Sequence, residues 1–84
     1  MKRLEMELEN LICRFVVDGK GKKIGESIAL DGDILIIKRG KEFIGVPLKH
    51  IDDEGEYLKV KGLVSMDKAR KLGRRWEERY EKKR

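Results

Sequence analysis

The sequence predicts a mainly β fold with a C-terminal α-helix (α+β), in which a small barrel of five to six short strands is packed by one amphipathic helix. Short apolar runs, separated by turns that contain glycine and aspartate, extend from residue 11 to residue 62. The last twenty residues instead place their apolar side chains at helical spacing. Because 84 residues suffice for one small core, we expect a single domain. Its expected parts are a lead-in segment (1–10), a β-barrel (11–62) and a C-terminal helix (65–83).

The start of the chain combines an ambiguous lead-in with a clear β pattern. The apolar residues of segment 1–10 fit both helical spacing and alternation, and we favour a short helical lead-in. In LICRFVV, alternation predicts a first strand with Leu11, Cys13, Phe15 and Val17 on one face. Cys13 is the only cysteine, which excludes an intramolecular disulfide. Its apolar neighbours favour a small buried side chain over a reactive thiol.

Four further strands are predicted between glycine-containing turns. The second lies in IGESIAL, and the third lies in ILIIKR, whose four consecutive aliphatic residues indicate a central, buried strand. The fourth is EFIGVPL, with Ile44, Val46 and Leu48 on one face. The fifth lies in YLKVK, where Leu58 and Val60 point inward.

The fourth strand is expected to bend and then to end within GVPLKHI. Gly45 is a typical residue for a bulge or a sharp bend, and Pro47 belongs at an edge or a strand end because it has no backbone N–H. Leu48 and Ile51, three residues apart, predict one turn of irregular helix. His50 would then face solvent. A lone histidine without a second histidine or a cysteine nearby is a poor metal candidate, so we interpret it as a structural surface residue.

The segment SMDKARKLGRRWEERYEKKR predicts the strongest helix of the chain. Ser65 is the expected N-cap, and Asp67 in the first turn complements the helix dipole. Trp76 is the expected anchor of the packed side. Gly73 costs about 1 kcal/mol relative to alanine inside a helix, which indicates a close approach to the sheet. On a helical wheel the packed face comprises Met66, Ala69, Leu72, Gly73, Trp76 and Tyr80.

The excess positive charge of the chain lies in this helix. The sequence holds 21 Lys and Arg against 16 Asp and Glu, a net charge of +5, and residues 65–84 alone hold nine basic and four acidic residues. Like charges at i,i+4 spacing cost about 0.2–0.5 kcal/mol per pair, whereas phosphate binding favours such clustering because counterions are released. A solvated surface face is the alternative interpretation. The candidate partner- or nucleic-acid-binding residues, which form an arc without acidic side chains, are Lys68, Lys71, Arg75, Arg79 and Lys82.

The sequence contains no group of residues typical of catalysis or of a bound cofactor. The carboxylate pairs Asp31/Asp33 and Asp52/Asp53 lie in turns, where aspartate usually bonds to its own backbone. DGKGKKIG is neither a Walker loop nor a dinucleotide fingerprint, because no helix is predicted after it. We therefore expect that the protein is not an enzyme and has no catalytic residues, no cofactor and no metal.

Composition gives expectations about the source and the location of the protein. Charged residues make up 44% of the chain, which has a single asparagine and neither glutamine nor threonine. This balance is associated with growth at high temperature and favours a thermophilic microbe. No signal peptide or membrane-spanning apolar run is evident, so we expect a cytoplasmic protein that does not enter a membrane.

Two stretches, KKIGESIALDGDILIIKR and FIGVPLKHIDDEGEYLKV, resemble the PRC-barrel family. These small, strongly bent barrels occur in the reaction-centre H subunit and in bacterial ribosome maturation factors. The pattern is also similar to short archaeal β-barrel proteins with a C-terminal tryptophan helix, here Leu72–Gly73 and Trp76. The very short turn between the second and third strands and the long basic helix depart from typical PRC barrels, and an SH3-like barrel is the nearest rival. The resemblance implies a non-catalytic docking module.

Three functions follow as expectations. The first is an interaction module that docks onto a protein or a ribonucleoprotein. The second is direct RNA or DNA binding without sequence specificity through the basic arc, with only Phe43 and Tyr57 available to stack on bases. The third is a structural homodimer, joined through the edge strand near Pro47 or through the N-terminal segment.

Overall fold

The computed structural model describes residues 11–62 and 64–81. Within these residues the chain forms a mainly β fold with one C-terminal α-helix, which confirms the predicted fold class. A 3-10 helix, Leu48–His50, follows the fourth strand, and the α-helix α1 spans Met66–Glu81. The strands are β1 (Phe15–Val17), β2 (Lys23–Asp31), β3 (Ile34–Arg39), β4 (Glu42–Pro47), β5 (Ile51–Asp53) and β6 (Leu58–Val60).

The strands form one sheet in the order β4-β3-β2-β1-β6-β5, which curls into a half-barrel. Neighbouring strands are antiparallel, except that β1 and β6 run parallel. The long strand β2 pairs with β1 near its start and with β3 near its end. Its register shifts against both partners, between Val16 and Val17 on β1 and between Ser27 and Ala29 on β2. Such irregularities bend a strand and increase its twist, which explains how a short sheet curls.

The concave side of the sheet holds the core. Side chains from both ends of the sheet meet there, together with one residue of α1. Fully burying an aliphatic side chain contributes about 1.5–3 kcal/mol, so these few residues carry most of the apolar stabilisation. They are Val16, Leu35, Ile37, Ile44, Val46, Leu58, Val60 and Ala69.

Pro47 ends β4, and β4 is an edge strand, as predicted. The 3-10 turn follows at once, and Leu48 N–H donates to the Asp33 carbonyl oxygen at 2.8 Å. Leu48 and Ile51 are partly buried against the core, which confirms the predicted turn. β3 and β4 pair without a register shift, so Gly45 does not form a bulge, and the bend expected there stays a prediction. Gly45 instead admits α1, since a Cβ there would lie 2.8 Å from Leu72 Cβ.

The first strand is shorter than predicted and has the opposite phase. Val16 is fully buried, whereas Phe15 is 53% exposed and Cys13 is exposed, so the prediction of a buried cysteine is wrong. The residues before β1 form a bend rather than a strand, and Cys13 has a φ of 65°. This bend is held by Ser27, because its carbonyl oxygen accepts from Cys13 N–H at 2.8 Å and its hydroxyl accepts from Arg14 N–H at 3.0 Å.

The sequence also missed strand β5, which lies in the segment interpreted as a turn. Ile51–Asp53 pairs antiparallel with β6 and forms the second edge of the sheet. The lead-in segment 1–10 falls outside the described residues, so its predicted helix stays a prediction. Among the residues that are described, no helix is long and apolar enough to cross a membrane.

Candidate interaction surface

The rotation of α1 about its axis is fixed by two glycines. A Cβ at Gly73 would lie 2.0 Å from the Phe43 carbonyl oxygen and 2.6 Å from Ile44 Cα, so the helix backbone rests directly on β4. This confirms the close approach predicted for Gly73. Because Gly45 faces Leu72 in the same contact, α1 packs through one narrow side and leaves the opposite side in solvent.

The start of α1 is set by Ser65, as predicted. Its hydroxyl accepts from Lys68 N–H at 3.4 Å, and its carbonyl oxygen accepts from Ala69 N–H at 3.0 Å. This cap satisfies helix N–H groups that otherwise have no partner in the first turn. It also places Ala69, which is 1% exposed, over the core.

Aromatic packing anchors the second half of α1. Trp76 is partly buried, with its ring centroid 5.4 Å from that of Phe43 on β4 and 5.2 Å from that of Tyr80. Tyr80 is 56% exposed although the helical wheel placed it on the packed face. Because Phe43 lies against Trp76, it is engaged in packing, and of the two predicted stacking residues only Tyr57 remains clearly exposed.

The predicted basic residues are exposed where the structure describes them, but they do not form one uniform arc. Lys68, Lys71 and Arg75 have no ion-pair partner within residues 11–62 and 64–81. Arg79 instead forms an ion pair with Asp31 at the end of β2. Lys82 lies outside the described residues. The cationic charge is therefore concentrated along the first ten residues of α1.

A groove beside the start of α1 adds residues that sequence reasoning did not select. The 3-10 turn brings Lys49 and His50 next to Lys68, and the three side chains line a groove of about 310 Å³ with an apolar floor that includes Pro47 and Leu72. Lys49 is exposed, whereas His50 is partly buried rather than directed into solvent as predicted. We use the name α1 basic surface for Lys49, Lys68, Lys71 and Arg75.

A second groove, of about 410 Å³, continues along α1 on the other side of Leu72. Its lining is mixed in charge, because Arg75 and Arg79 lie there with Asp31 and Glu78. The pairing of Arg79 with Asp31 ties the end of α1 to the β2–β3 turn. This groove is accordingly less attractive to an anionic ligand than the groove that holds Lys49 and Lys68.

The carboxylates that could have suggested chemistry are mostly engaged in ion pairs. Asp52 lies 2.8 Å from Lys61 Nζ, and Asp53 lies 2.8 Å from an Arg14 guanidinium nitrogen. The hydrogen bond from Arg14, followed by that from Gly55 N–H, lowers the pKa of Asp53 below its usual 3.8. In the described part of the chain, no three His, Cys, Asp or Glu side chains are grouped so as to hold a metal ion.

Comparison with known protein families assigns the chain to one family. Residues 12–83 match the model of DUF5749, a family of unknown function. The protein is a member of DUF5749. No curated protein matches the sequence. The DUF5749 match spans the sheet, the α1 basic surface and the α1 packing contacts, so these features lie within the family domain.

Proposed function

We propose that this DUF5749 protein is a non-catalytic interaction module that docks onto a ribonucleoprotein through the α1 basic surface. The observation that carries the proposal is the exposure of Lys68, Lys71 and Arg75, which have no ion-pair partners among the described residues. Lys68 also lines the same groove as Lys49. These cations stand on a helix whose opposite side is fixed to β4, so they form a preorganised surface.

Electrostatics favours an anionic partner over a purely solubilising role. Lys71 and Arg75 repel each other at i,i+4 spacing by about 0.2–0.5 kcal/mol, and folding alone gives no reason for this arrangement. A phosphate backbone placed along the helix would remove the repulsion and release counterions. The partly buried His50 lines the same groove as Lys49 and Lys68, where a phosphate would lie.

The PRC-barrel resemblance supports docking as the mode of action. We propose that the half-barrel of this protein is PRC-barrel-like, with α1 added across strand β4. A docking module of this kind acts in the cytoplasm, where ribonucleoprotein partners are found. The residues that carry the PRC-barrel resemblance include Gly45, which contacts α1, and Pro47, which ends β4. They therefore support the fold rather than a reaction.

The absence of catalysis is part of the proposal and is supported by how the acidic residues are used. Asp31, Asp52 and Asp53 each pair with a cation that joins separate segments of the chain. Groups committed to such pairs are poorly suited to act as general acids or bases. Turnover of a substrate by the purified protein would contradict this part of the proposal.

The experiment is affinity capture from native cytosol at low salt, with and without nuclease. We expect the unmodified protein to recover RNA together with ribonucleoprotein components. A triple variant, Lys68→Ser, Lys71→Ser and Arg75→Ser, should lose them. A charge-matched control, Lys38→Ser, Lys41→Ser and Arg74→Ser, changes three other exposed basic residues and should retain them. Equal behaviour of the two triple variants would show that the α1 basic surface is not the contact.

Direct binding of bare RNA or DNA without sequence specificity is the second candidate, and the same exposed cations favour it. About three phosphate contacts on a single strand predict a slope of about −2 in a plot of log affinity against log salt. Titration of purified protein with single-stranded RNA would separate the candidates. Binding with that slope supports direct recognition, whereas binding only to the intact ribonucleoprotein supports docking.

A further inference from the structure

A second exposed surface lies on the convex side of β1 and β6. These strands are parallel, with Val16 opposite Leu58, and both of these residues are fully buried. Successive side chains in a strand point to opposite faces, so Phe15, next to the buried Val16, lies on the outer face. Tyr57, the residue before β6, lines the same outer cleft as Phe15. They are 53% and 37% exposed.

The two rings line one concavity. Together with Val17, Lys23 and Glu56 they enclose a cleft of about 440 Å³, which we call the aromatic cleft. Its lining is mostly apolar, with one cation and one anion at the rim. Lys23 Nζ lies 4.4 Å from the centroid of the Phe15 ring.

The turn next to the cleft is ordered and rich in lysine. The Asp18 carboxylate accepts from the N–H groups of Lys20 and Lys22, each at 2.9 Å, and the Asp18 carbonyl oxygen accepts from Gly21 N–H at 2.9 Å. These bonds engage the carboxylate and lower its pKa below 3.8. The turn therefore holds Lys20 and Lys22, both exposed, beside Lys23 at the start of β2.

We propose that the aromatic cleft binds unpaired bases of a single-stranded nucleic acid. Phe15 and Tyr57 are exposed rings on which bases would stack, with Lys23 over one face of Phe15 and the other face available. The exposed Lys20 and Lys22, with Lys23, lie where the phosphates of the same strand would pass. Aromatic residues flanked by a cationic path are the common arrangement of single-strand binders built on β-sheets. The carboxylate of Glu56 repels phosphates and directs the backbone towards the lysine side of the cleft.

This inference uses residues that the proposed function does not use. The helix α1 packs on β4 and β3, whereas the aromatic cleft lies on β1, on β2 and at the start of β6. The cleft would recognise bases, and the α1 basic surface would recognise only the charged backbone. The two sites can therefore be tested separately.

The test is fluorescence anisotropy with two labelled strands of equal length and charge. One is an oligonucleotide of about 12 nucleotides, within the roughly 4–16 nucleotides that such folds cover, and the other is its abasic counterpart. Stacking changes affinity by about 5- to 150-fold per base, so the unmodified protein should bind the base-containing strand at least about 10-fold more tightly than the abasic strand. Equal affinities would overturn the inference.

Variants of the cleft residues test whether the difference in affinity between the two strands arises in the aromatic cleft. Phe15→Leu and Tyr57→Leu keep an apolar side chain but remove the π face, and each should reduce the preference for the base-containing strand by about 5-fold or more. Tyr57→Phe keeps the ring and should keep the preference. The triple variant of Lys68, Lys71 and Arg75 should weaken the binding of both strands equally and leave the ratio of their affinities unchanged. A failure of the proposed function would therefore be distinguishable from a failure of this inference.

Two further outcomes would overturn the inference. The leucine variants would leave the ratio unchanged if the bases stack elsewhere. If the cleft instead joins two copies of this chain, light scattering would show a dimer that Phe15→Leu dissociates. Circular dichroism of each variant verifies that its fold is intact.

Discussion

The contact between Gly73 and strand β4 makes a counterintuitive prediction: Gly73→Ala, which improves helix propensity, should destabilise the protein. Alanine is favoured over glycine by about 1 kcal/mol inside a helix. The new methyl group would, however, lie 2.0 Å from the Phe43 carbonyl oxygen, 2.2 Å from its carbonyl carbon and 2.6 Å from Ile44 Cα. All three atoms are backbone atoms of a strand that pairs regularly with β3, so they cannot rotate away.

The size of the effect follows from this geometry. An ordinary van der Waals contact starts at 3.4 Å, so the Cβ–oxygen distance is short by about 1.4 Å and α1 must move outwards. A gap of about 0.5–1 Å already removes a quarter to a half of the dispersion energy at Leu72 and Trp76. Overpacking costs about 1–3 kcal/mol and occasionally more, and a clash with backbone belongs at the upper end. After the gain in propensity, we expect a net loss of about 2 kcal/mol, or about 8–16 °C in Tm.

Thermal and urea unfolding followed by circular dichroism would measure this loss. The matched control is Gly19→Ala, where the new Cβ would lie 3.9 Å from the Val60 carbonyl oxygen and the backbone is not left-handed. That variant should be neutral or more stable by about 0.4–1 kcal/mol, because it restricts the unfolded chain. If Gly73→Ala were as stable as the unmodified protein, the close approach of α1 to β4 would be wrong.

Three other substitutions test the remaining contacts. Ser27→Ala removes the buried hydroxyl that bonds to Arg14 N–H and should cost about 1–3 kcal/mol in urea unfolding, whereas an unchanged midpoint would exclude that bond as a stabilising contact. Asp53→Asn removes a carboxylate whose pKa is lowered in the folded state. The stabilising effect of this carboxylate is present above pH 3.8 and is lost as the pH falls through its pKa in the folded protein. The difference in Tm between Asp53→Asn and the unmodified protein should therefore shrink on acidification. Asp31→Asn breaks an exposed ion pair worth about 0–1 kcal/mol and releases Arg79. The affinity of the protein for a polyanion should therefore rise, with little change in stability. An unchanged affinity in a low-salt titration would count against a contribution from Arg79.

Local sequence patterns predicted most of the sheet because they reflect constraints that act on the backbone within a few residues. The aliphatic run of β3, the loss of the N–H at Pro47 and the glycine-containing turns each constrain the backbone whatever lies around them. The third strand accordingly begins at Ile34 and ends at Arg39, as the run ILIIKR predicted. Gly73 was equally informative, since a helix-breaking residue inside a strong helix pattern needs a packing reason.

The phase of β1 could not be predicted in the same way. Alternation from Leu11 to Val17 assumes a continuous strand, but Ser27 captures the backbone of Cys13 and Arg14 through hydrogen bonds across the sheet. The chain bends there, and the inward residue becomes Val16. Ser27 lies 13 positions from Arg14, so no pattern within the LICRFVV run records the bond.

The sequence predicted only part of each candidate surface, because the remaining residues are brought together by contacts between distant segments. The wheel identified Lys68, Lys71 and Arg75 because they share one helix. Lys49 joins them only because α1 packs across β4 and brings its first turn beside the 3-10 turn. The aromatic cleft depends on the parallel pairing of β1 with β6, which joins segments about forty residues apart along the chain.

The two edges of the sheet differ in how they are protected, and the difference limits the kinds of partner. At the β4 edge, α1 lies against the Phe43 carbonyl, so an added strand near Pro47 would have to displace the helix. At the β5 edge, the strand has three residues, and two of them are Asp52 and Asp53, which makes it a short and charged edge. Short, charged edges resist strand addition. Partner binding by strand pairing is therefore disfavoured at both edges, and side-chain recognition is favoured on the α1 basic surface and in the aromatic cleft. Both proposals, a ribonucleoprotein at the α1 basic surface and unpaired bases in the aromatic cleft, rely on side chains and need no added strand.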